Sequence, residues 1–374
     1  MPAYDAFLLL SFGGPEGPDD VLPFLENVTR GRGVPRERLD EVAAHYRAFG
    51  GVSPINGQCR DMLAAIGAQF AAAAVDLPLY WGNRNWHPFI EDTVRQMAAD
   101  GVRHALAFVT SAYSSYSACR QYLDDIERAV AAVGPGAPKI DKIRPYFNHP
   151  GFIEPFADSV EAALSSLPAA AQAGARLVCT AHSVPLSMAA ASGSASDGTA
   201  VPGSAGGSTG GGRYAAELRE AARLIAERTR GGSLPFDLVW QSRSGPPSVP
   251  WLEPDVNDHI AALAKDGAAT AAVVVPVGFV SDHMEVVHDL DVEAAATAAS
   301  LGLPFARAAA PGATPRFAAM VRELVGEAAF GAPALALGDF RPRSGDCPAD
   351  CCRYVPRRPG GPPADVGAPP RVTA

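Results

Sequence analysis

The sequence predicts an α/β protein made of two similar doubly wound, Rossmann-like domains. Each is built on a four-stranded parallel sheet, and a cleft lies between them. Three observations carry this reading. Short apolar runs alternate with longer stretches of helical periodicity. The apolar runs lack the strict in–out alternation of a half-exposed sheet, as suits strands buried on both faces. The alternation falls into two blocks of four, in a chain of 374 residues, enough for about two domains of roughly 150 residues each.

In the first block, strands are expected at residues 5–11, 77–81, 104–110 and 139–143. Each is rich in Val, Leu, Ile or Phe. In the second they are expected at 176–180, 236–241, 271–277 and 304–309. Between them, Met62, Leu63, Ile66 and Phe70 recur at helical spacing, as do Leu218, Ala221, Ala222 and Ile225. Further helices are expected at 88–99, 117–132, 151–164, 284–300 and 315–328. The domain limits then fall at 1–155 and 156–335. Residues 187–212, almost all Ala, Ser, Gly and Thr, read as a flexible insertion in the second domain. Residues 342–374 read as a mobile Cys- and Pro-rich tail, held only near its cysteines.

Composition narrows the function. Hydrophobic residues make up 48% and charged residues 19%, so most of the chain should fold. The net charge of −9 argues against nucleic acid or an anionic membrane as main partner. Apolar runs reach only about ten residues, too few to cross a bilayer. The start of the chain has no basic leader, and Asp5 interrupts its apolar stretch. The expectation is a monomeric cytoplasmic protein with no stable membrane association. Six cysteines in so long a chain do not suggest a secreted disulfide framework. Cys347, Cys351 and Cys352 crowd together, which in a reducing compartment suggests a metal before a disulfide. Cys59 reads as a small core residue on a helix.

Ligands of open α/β sheets bind beyond the carboxyl ends of the strands, so the residues just after each strand are the place to search. Two segments stand out. Thr180-Ala181-His182-Ser183-Val184-Pro185 puts His182 at a strand mouth, where neutral imidazole can accept a proton or bind a metal. Ser281-Asp282-His283-Met284-Glu285 opens a helix on which Glu285, Asp289 and Glu293 stand four apart and form one carboxylate stripe. Asp282 and His283 head it. A carboxylate row leading from a cleft can pass on a divalent cation or protons, so Asp282, Asp289 and Glu293 are a candidate metal or proton path. No G-x-x-x-x-G-K-[ST] loop, G-x-G-x-x-G turn or G-x-S-x-G elbow follows a strand, so no nucleotide cofactor is expected.

Six segments in register resemble the ferrochelatase family: residues 8–15 (LLLSFGGP), 50–54 (GGVSP), 181–185 (AHSVP), 239–244 (VWQSRS), 251–255 (WLEPD) and 276–285 (PVGFVSDHME). The resemblance implies two α/β domains without nucleotide, a porphyrin in the cleft and ferrous iron as the second substrate. It places the family's histidine and glutamate at His182 and Glu285, the catalytic and metal-contacting pair, facing each other across the cleft. Metal entry needs two pyrrole N–H protons removed and a puckered ring. His182 would take a proton, with metal contact open to it; Glu285, helped by Asp282 and the stripe, would escort iron or protons. Cleft walls that hold a bent ring would favour the strained state.

The resemblance also assigns porphyrin contacts. Arg30, Tyr46, Ser53 and Tyr122 occupy propionate-binding positions of soluble Gram-positive relatives. Phe12 stands where many relatives have an iron-ligating tyrosine, and a phenyl ring cannot ligate. His45 replaces an arginine that some relatives use. The combination of LLLSFGGPEGP, QSRSGPP and a Cys-Pro-x-x-Cys-Cys tail is similar to actinobacterial coproporphyrin III ferrochelatases, lyases of haem biosynthesis. Insertion into protoporphyrin IX is the close alternative, a non-catalytic porphyrin carrier a more distant one, and a cobalt chelatase shares the fold. Many actinobacterial members carry a [2Fe–2S] cluster on four thiolates. Cys347, Cys351 and Cys352 supply three. The cysteine expected in the insertion is missing, and Cys179 or Cys119 is left to substitute.

Overall fold

A computed structural model describes residues 4–31, 33–193, 212–245, 248–343, 345 and 347–354. It contains two four-stranded sheets, each parallel throughout. The first holds β1 (Ala6–Ser11), β2 (Leu79–Asn83), β3 (His104–Val109) and β4 (Lys139–Lys142) in the order β2-β1-β3-β4. The second holds β5 (Ala175–His182), β6 (Phe236–Gln241), β7 (Ala271–Val275) and β8 (Phe305–Arg307) in the order β6-β5-β7-β8. The two orders are the same, so the blocks read from the sequence are topological repeats. Both central pairs are buried on both faces, which is why Phe7–Leu10 and Val273–Val275 are unbroken apolar runs.

Helices α1 (Val21–Val28), α2 (Arg36–Ala48), α3 (Ile55–Ala72), α4 (Ile90–Ala99) and α5 (Gln121–Val133) belong with the first sheet, α5 being entered through a π-helical turn at Tyr116–Arg120. Next come α6 (Pro150–Ser166), α7 (Ala169–Gln172), α8 (Leu186–Ala190), α9 (Gly212–Arg228) and α10 (Val256–Asp266). The helix expected over 284–300 is three segments: α11 (Met284–Val286), a π-helix at Val287–Ala294, and α12 (Ala295–Ser300). The chain then runs through α13 (Pro315–Phe330). The sequence reading lacked α1, α2, α7, α8 and α10. Helix α8 occupies the first residues of the stretch read as a flexible insertion; residues 194–211 of that stretch, and the tail from 355, lie outside the described residues. No helix among the described residues is long and apolar enough to cross a membrane.

One core runs through both halves. Phe317 of α13 packs edge-on against Phe108 of β3 and Tyr146, with ring centroids 6.0 and 6.3 Å apart. Buried Arg144, just past β4, pairs with Glu327 of α13 at 2.8 Å. The late helix thus clamps onto the early sheet through apolar rings and one buried ion pair.

Two glycines explain motifs of the cleft. Gly13 has φ +82°, a left-handed conformation that disfavours side chains, where β1 turns into the cleft. Gly278 follows β7, and its N–H bonds Thr180 O at 3.0 Å. A Cβ on Gly278 would stand 2.6 Å from Ala181 Cβ and 2.8 Å from Ala181 Cα. Gly278→Ala must therefore push apart the loops that carry His182 and Glu285, and is expected to destabilise the fold by about 1–3 kcal/mol in urea denaturation. Gly57→Ala, a helical glycine with nothing within 4 Å of the added carbon, should be neutral or stabilising. Equal midpoints for the two variants would refute this packing argument.

Candidate active site and cysteine centre

His182 is the last residue of β5, and Glu285 lies ten residues beyond the end of neighbouring β7. His182 Nε2 and Glu285 Oε2 stand 3.6 Å apart. His182 Nδ1 lies 2.5 Å from Ser183 O. A carbonyl only accepts, so Nδ1 carries the hydrogen and Nε2, the nitrogen facing Glu285, keeps its lone pair in the neutral ring. The backbone carbonyl of His182 accepts in turn from Tyr214 Oη at 3.0 Å, which ties the strand end to α9.

The carboxylate stripe is real, and the π-helix contributes to it. A π turn holds more residues than an α turn, so side chains four apart come nearer to one line. Asp289 accepts from Gln241 Nε2 at 3.2 Å and from the Ser242 hydroxyl. Burial, with the charges of Glu285 and Glu293, raises its carboxyl to about 6, against the hydrogen bonds that lower it. Glu293 lies beside His288. Asp282 is differently placed. Its carboxylate is paired with Arg307 Nη1 at 3.0 Å and its N–H is bonded to Gln58 Oε1 at 2.8 Å. Arg307 therefore offsets the charge that Asp282 was expected to offer a cation. His283 is half-buried, and desolvation there lowers its pKa.

A cavity of about 310 Å³ opens beside Glu285, lined by Tyr46, His45, Met284, His288 and Asp289 among others. Its wall on the first-sheet side is α2, which packs on α1. Val21, Phe24, Leu25, Leu39, Ala43 and Tyr46 form a small core that also buries Met284. Phe12 joins this cluster, with its ring 6.4 Å from that of Phe24. Tyr46 is buried and its phenol is raised far above its ordinary value, first by burial and then by Glu285 and Asp289. The imidazole of His45 is lowered, first by burial and then by facing His288.

The remaining expected contacts divide. Ser53 is buried with its N–H on Pro15 O at 2.8 Å, and Tyr122 is buried on α5. Arg30 is exposed just past α1, and makes no ion pair among the described residues. The sequence reading missed Arg84. Its guanidinium lies over the rings of Tyr122 and Phe12, 4.7 and 5.8 Å from their centroids, and pairs with buried Asp125. Phe12 thus carries a cation above its phenyl ring. The signal was available: β2 extends to Asn83, so Arg84 is the residue at its mouth, but the strand was read as ending at residue 81.

The cysteines form a second centre. Cys119 sits in the π turn before α5, and Cys351 and Cys352 are buried with it. Cys351 Sγ and Cys352 Sγ are 3.7 Å apart, and Arg343 Nη2 lies 3.6 Å from Cys351 Sγ. Hydrogen bonding from Cys347, together with Lys142, pulls the Cys119 thiol down to about 6. Cys351 is likewise lowered, by Cys347, Cys352 and Arg343, whereas Cys347 and Cys352 are raised by giving up hydrogen bonds to those thiolates. Of the two substitutes for a fourth thiol, Cys119 is in the group. Cys179 lies inside β5, fully buried, with its thiol raised by that burial. The segment after His182 still touches the centre: Gly193 N–H donates to Cys352 Sγ at 3.1 Å and Cys352 N–H to Gly193 O at 2.9 Å.

Comparison with known proteins agrees with this geometry. The family model described as Ferrochelatase matches residues 4–329. A coproporphyrin III ferrochelatase of Nocardia farcinica is 58% identical, over 87% of this chain and 88% of its own length. One from Streptomyces griseus is 51% identical over 97% of this chain and 96% of its own. A ferrochelatase of Rhodopirellula baltica is 50% identical over 96% of each. With so much of its length matched, and with an imidazole and a carboxylate confronted at adjacent strand mouths, the chain belongs to the ferrochelatase family.

Proposed function

We propose that this enzyme inserts Fe²⁺ into coproporphyrin III, releasing two protons and giving the iron porphyrin. The observation that carries the reading is the opposed pair His182 Nε2 and Glu285 Oε2, 3.6 Å apart, in a chain of this family. The choice of porphyrin rests on relatives such as those of Nocardia farcinica and Streptomyces griseus, whose names give coproporphyrin III as substrate. The lobes are taken as residues 1–155 and 156–335.

The chemistry follows from the proton positions. With Nδ1–H held by Ser183 O, the Nε2 lone pair is the group that accepts a pyrrole proton. Imidazolium formed there is stabilised by the facing Glu285 carboxylate. Asp289, titrating near 6, stands one turn further along the helix and can pass a proton outward near neutral pH. Porphyrin carboxylates are assigned to Arg30, Tyr46, Ser53 and Tyr122. Arg84, paired with buried Asp125, packs on the rings of Phe12 and Tyr122 and stiffens that wall.

We further propose that Cys119, Cys347, Cys351 and Cys352 hold a [2Fe–2S] cluster. The support is the donor set: four thiols in contact, two already lowered toward thiolate, with Arg343 and Lys142 beside them. When bound, such a cluster supplies one-electron redox chemistry and a four-point covalent tie between α5 and the C-terminal arm.

Three outcomes test these readings. His182→Ala should lower the rate of anaerobic Fe²⁺ insertion about 10²–10⁴-fold, followed by absorbance, with porphyrin binding kept. Coproporphyrin III and protoporphyrin IX, assayed in parallel, should differ in kcat/KM in favour of the former; the reverse order would overturn the substrate assignment. For the cluster, the purified protein should absorb between about 400 and 550 nm and give an EPR signal on reduction. Both should be lost in Cys119→Ser and kept in Cys179→Ser. Loss in Cys179→Ser alone would move the fourth ligand.

A further inference from the structure

Glu285 faces His182 without a hydrogen bond of its own to keep it there. Its side chain is 51% exposed, and among the described residues no hydrogen bond ties its carboxylate. The place of that carboxylate is therefore set by its backbone, and one cation grips the chain on both sides of it. Asp282 stands three residues before Glu285 and Asp291 six residues after it. Arg307, the last residue of β8, meets both. Its Nη1 and Nη2 donate to the two oxygens of Asp282 at 3.0 and 3.4 Å. Its Nε and Nη2 donate to those of Asp291 at 2.5 and 3.0 Å. A guanidinium is a planar fork of N–H donors, and here it makes its favoured bidentate contact twice.

This contact differs from an ordinary surface ion pair. The side chains of Arg307 and Asp282 are each 17% exposed, so water screens them less than it would at the surface. The clamp is also anchored. Arg307 lies in register with Val274 of β7, and Ala308 N–H bonds Val274 O at 2.9 Å. It therefore springs from the neighbour of the very strand whose loop carries Glu285. Finally, the clamped segment has a choice of winding. Residues 287–294 are π-helical where the sequence spacing fits an α-helix, and π winding is rare. Asp291 lies inside that stretch. Rewinding to α would carry its carboxylate around the helix axis, away from a fork already committed to Asp282.

We propose that Arg307 is a positioning residue for Glu285: by clamping Asp282 and Asp291 it holds the turn between them, so that the Glu285 carboxylate rests 3.6 Å from His182 Nε2. The proposal rests on the reading of His182 and Glu285 as the reacting pair. The same clamp sorts the carboxylates at the strand mouth. Asp282 is held by the guanidinium, which leaves Glu285 as the carboxylate that answers the imidazole.

The test is made on the full-length protein. Arg307→Met keeps the apolar stem and removes the fork. Amide hydrogen exchange over residues 284–294, read by mass spectrometry without substrate, should quicken about tenfold. The kcat for anaerobic Fe²⁺ insertion into coproporphyrin III should fall about 10–100-fold, the cost of misplacing a reacting group by about 1 Å, while KM for the porphyrin stays within about twofold. Arg307→Lys brings a point charge that meets one carboxylate but cannot fork to two, and should recover part of kcat. Arg316→Gln is the matched control, because Arg316 likewise bridges two carboxylates, Glu154 of α6 and Glu323 of α13. It should leave kcat and the exchange of 284–294 unchanged. A double-variant cycle separates positioning from general stability. In a Glu285→Gln background, Arg307→Met should lower kcat less than about twofold further, because the group it positions is already gone. A full additional loss there would overturn the proposal, as would unchanged exchange over 284–294 in Arg307→Met or an equal loss of kcat in Arg316→Gln. The exchange measurement needs neither porphyrin nor iron, so it judges the clamp by itself. A wild-type protein that inserted no iron would sink the insertion reading, and with it the role assigned to Glu285, without touching that measurement.

Discussion

The site exists because β5 and β7 are hydrogen-bonded neighbours. Their parallel register, from Ala175 opposite Ala271 to Cys179 opposite Val275, brings both carboxyl ends to the same edge of the sheet. The Gly278 N–H on Thr180 O continues the pairing past the end of β7. The loop after β7 is thereby held against the last residues of β5, and His182 and Glu285, a hundred residues apart, have little freedom to be anywhere but face to face. A slip of one residue would turn each side chain to the opposite face of the sheet.

The opposite wall is less rigidly specified, and the sequence shows why. Strands buried on both faces announce themselves as apolar runs, and all eight were legible to within a few residues. The strand reading stopped two residues short in β5, which runs on to His182, and in β2, where Gly82 and Asn83 weaken the apolar signal although both are buried. Helices α1 and α2 carry no comparable signature: α1 is eight residues with Pro23 inside it, and nearly half of α2 is charged. They are helical because Phe24, Leu25, Leu39 and Tyr46 find one another and Met284 across the cleft, a tertiary contact that local periodicity cannot anticipate. The π-helix was invisible for a similar reason, since the four-residue spacing of its carboxylates fits an α turn equally well.

The site residues divide along the same line. His182, Glu285, Asp289 and Glu293 were legible because chemistry-bearing residues after a strand are conspicuous. What the sequence could not supply were partners distant in the chain. The pairing of Asp282 with Arg307, the stacking of His45 on His288 and the cation of Arg84 over Phe12 each join segments that only the fold brings together. Cys119 is the clearest case. More than two hundred residues separate it from Cys347, yet the turn before α5 and the C-terminal arm meet on the same side of the molecule.

That meeting also reaches His182. Arg343 bonds both Cys351 Sγ and the Ser114 hydroxyl, at 3.6 and 3.1 Å. Ser114 donates through its N–H and its hydroxyl to Glu217, at 2.7 and 2.8 Å, and Glu217 is fully buried on α9, where Arg213 Nε also meets it at 2.7 Å. Three residues back on the same helix, Tyr214 holds the carbonyl of His182. A carboxylate with no access to solvent persists only while its donors stay in place, because an unpaired buried charge costs several kcal/mol. Burial indeed raises the carboxyl of Glu217, against the pull of Arg213 and Ser114. The start of α9 is therefore pinned from below by charge and from the cysteine side by the C-terminal arm, and the tyrosine that fixes His182 inherits its position from both.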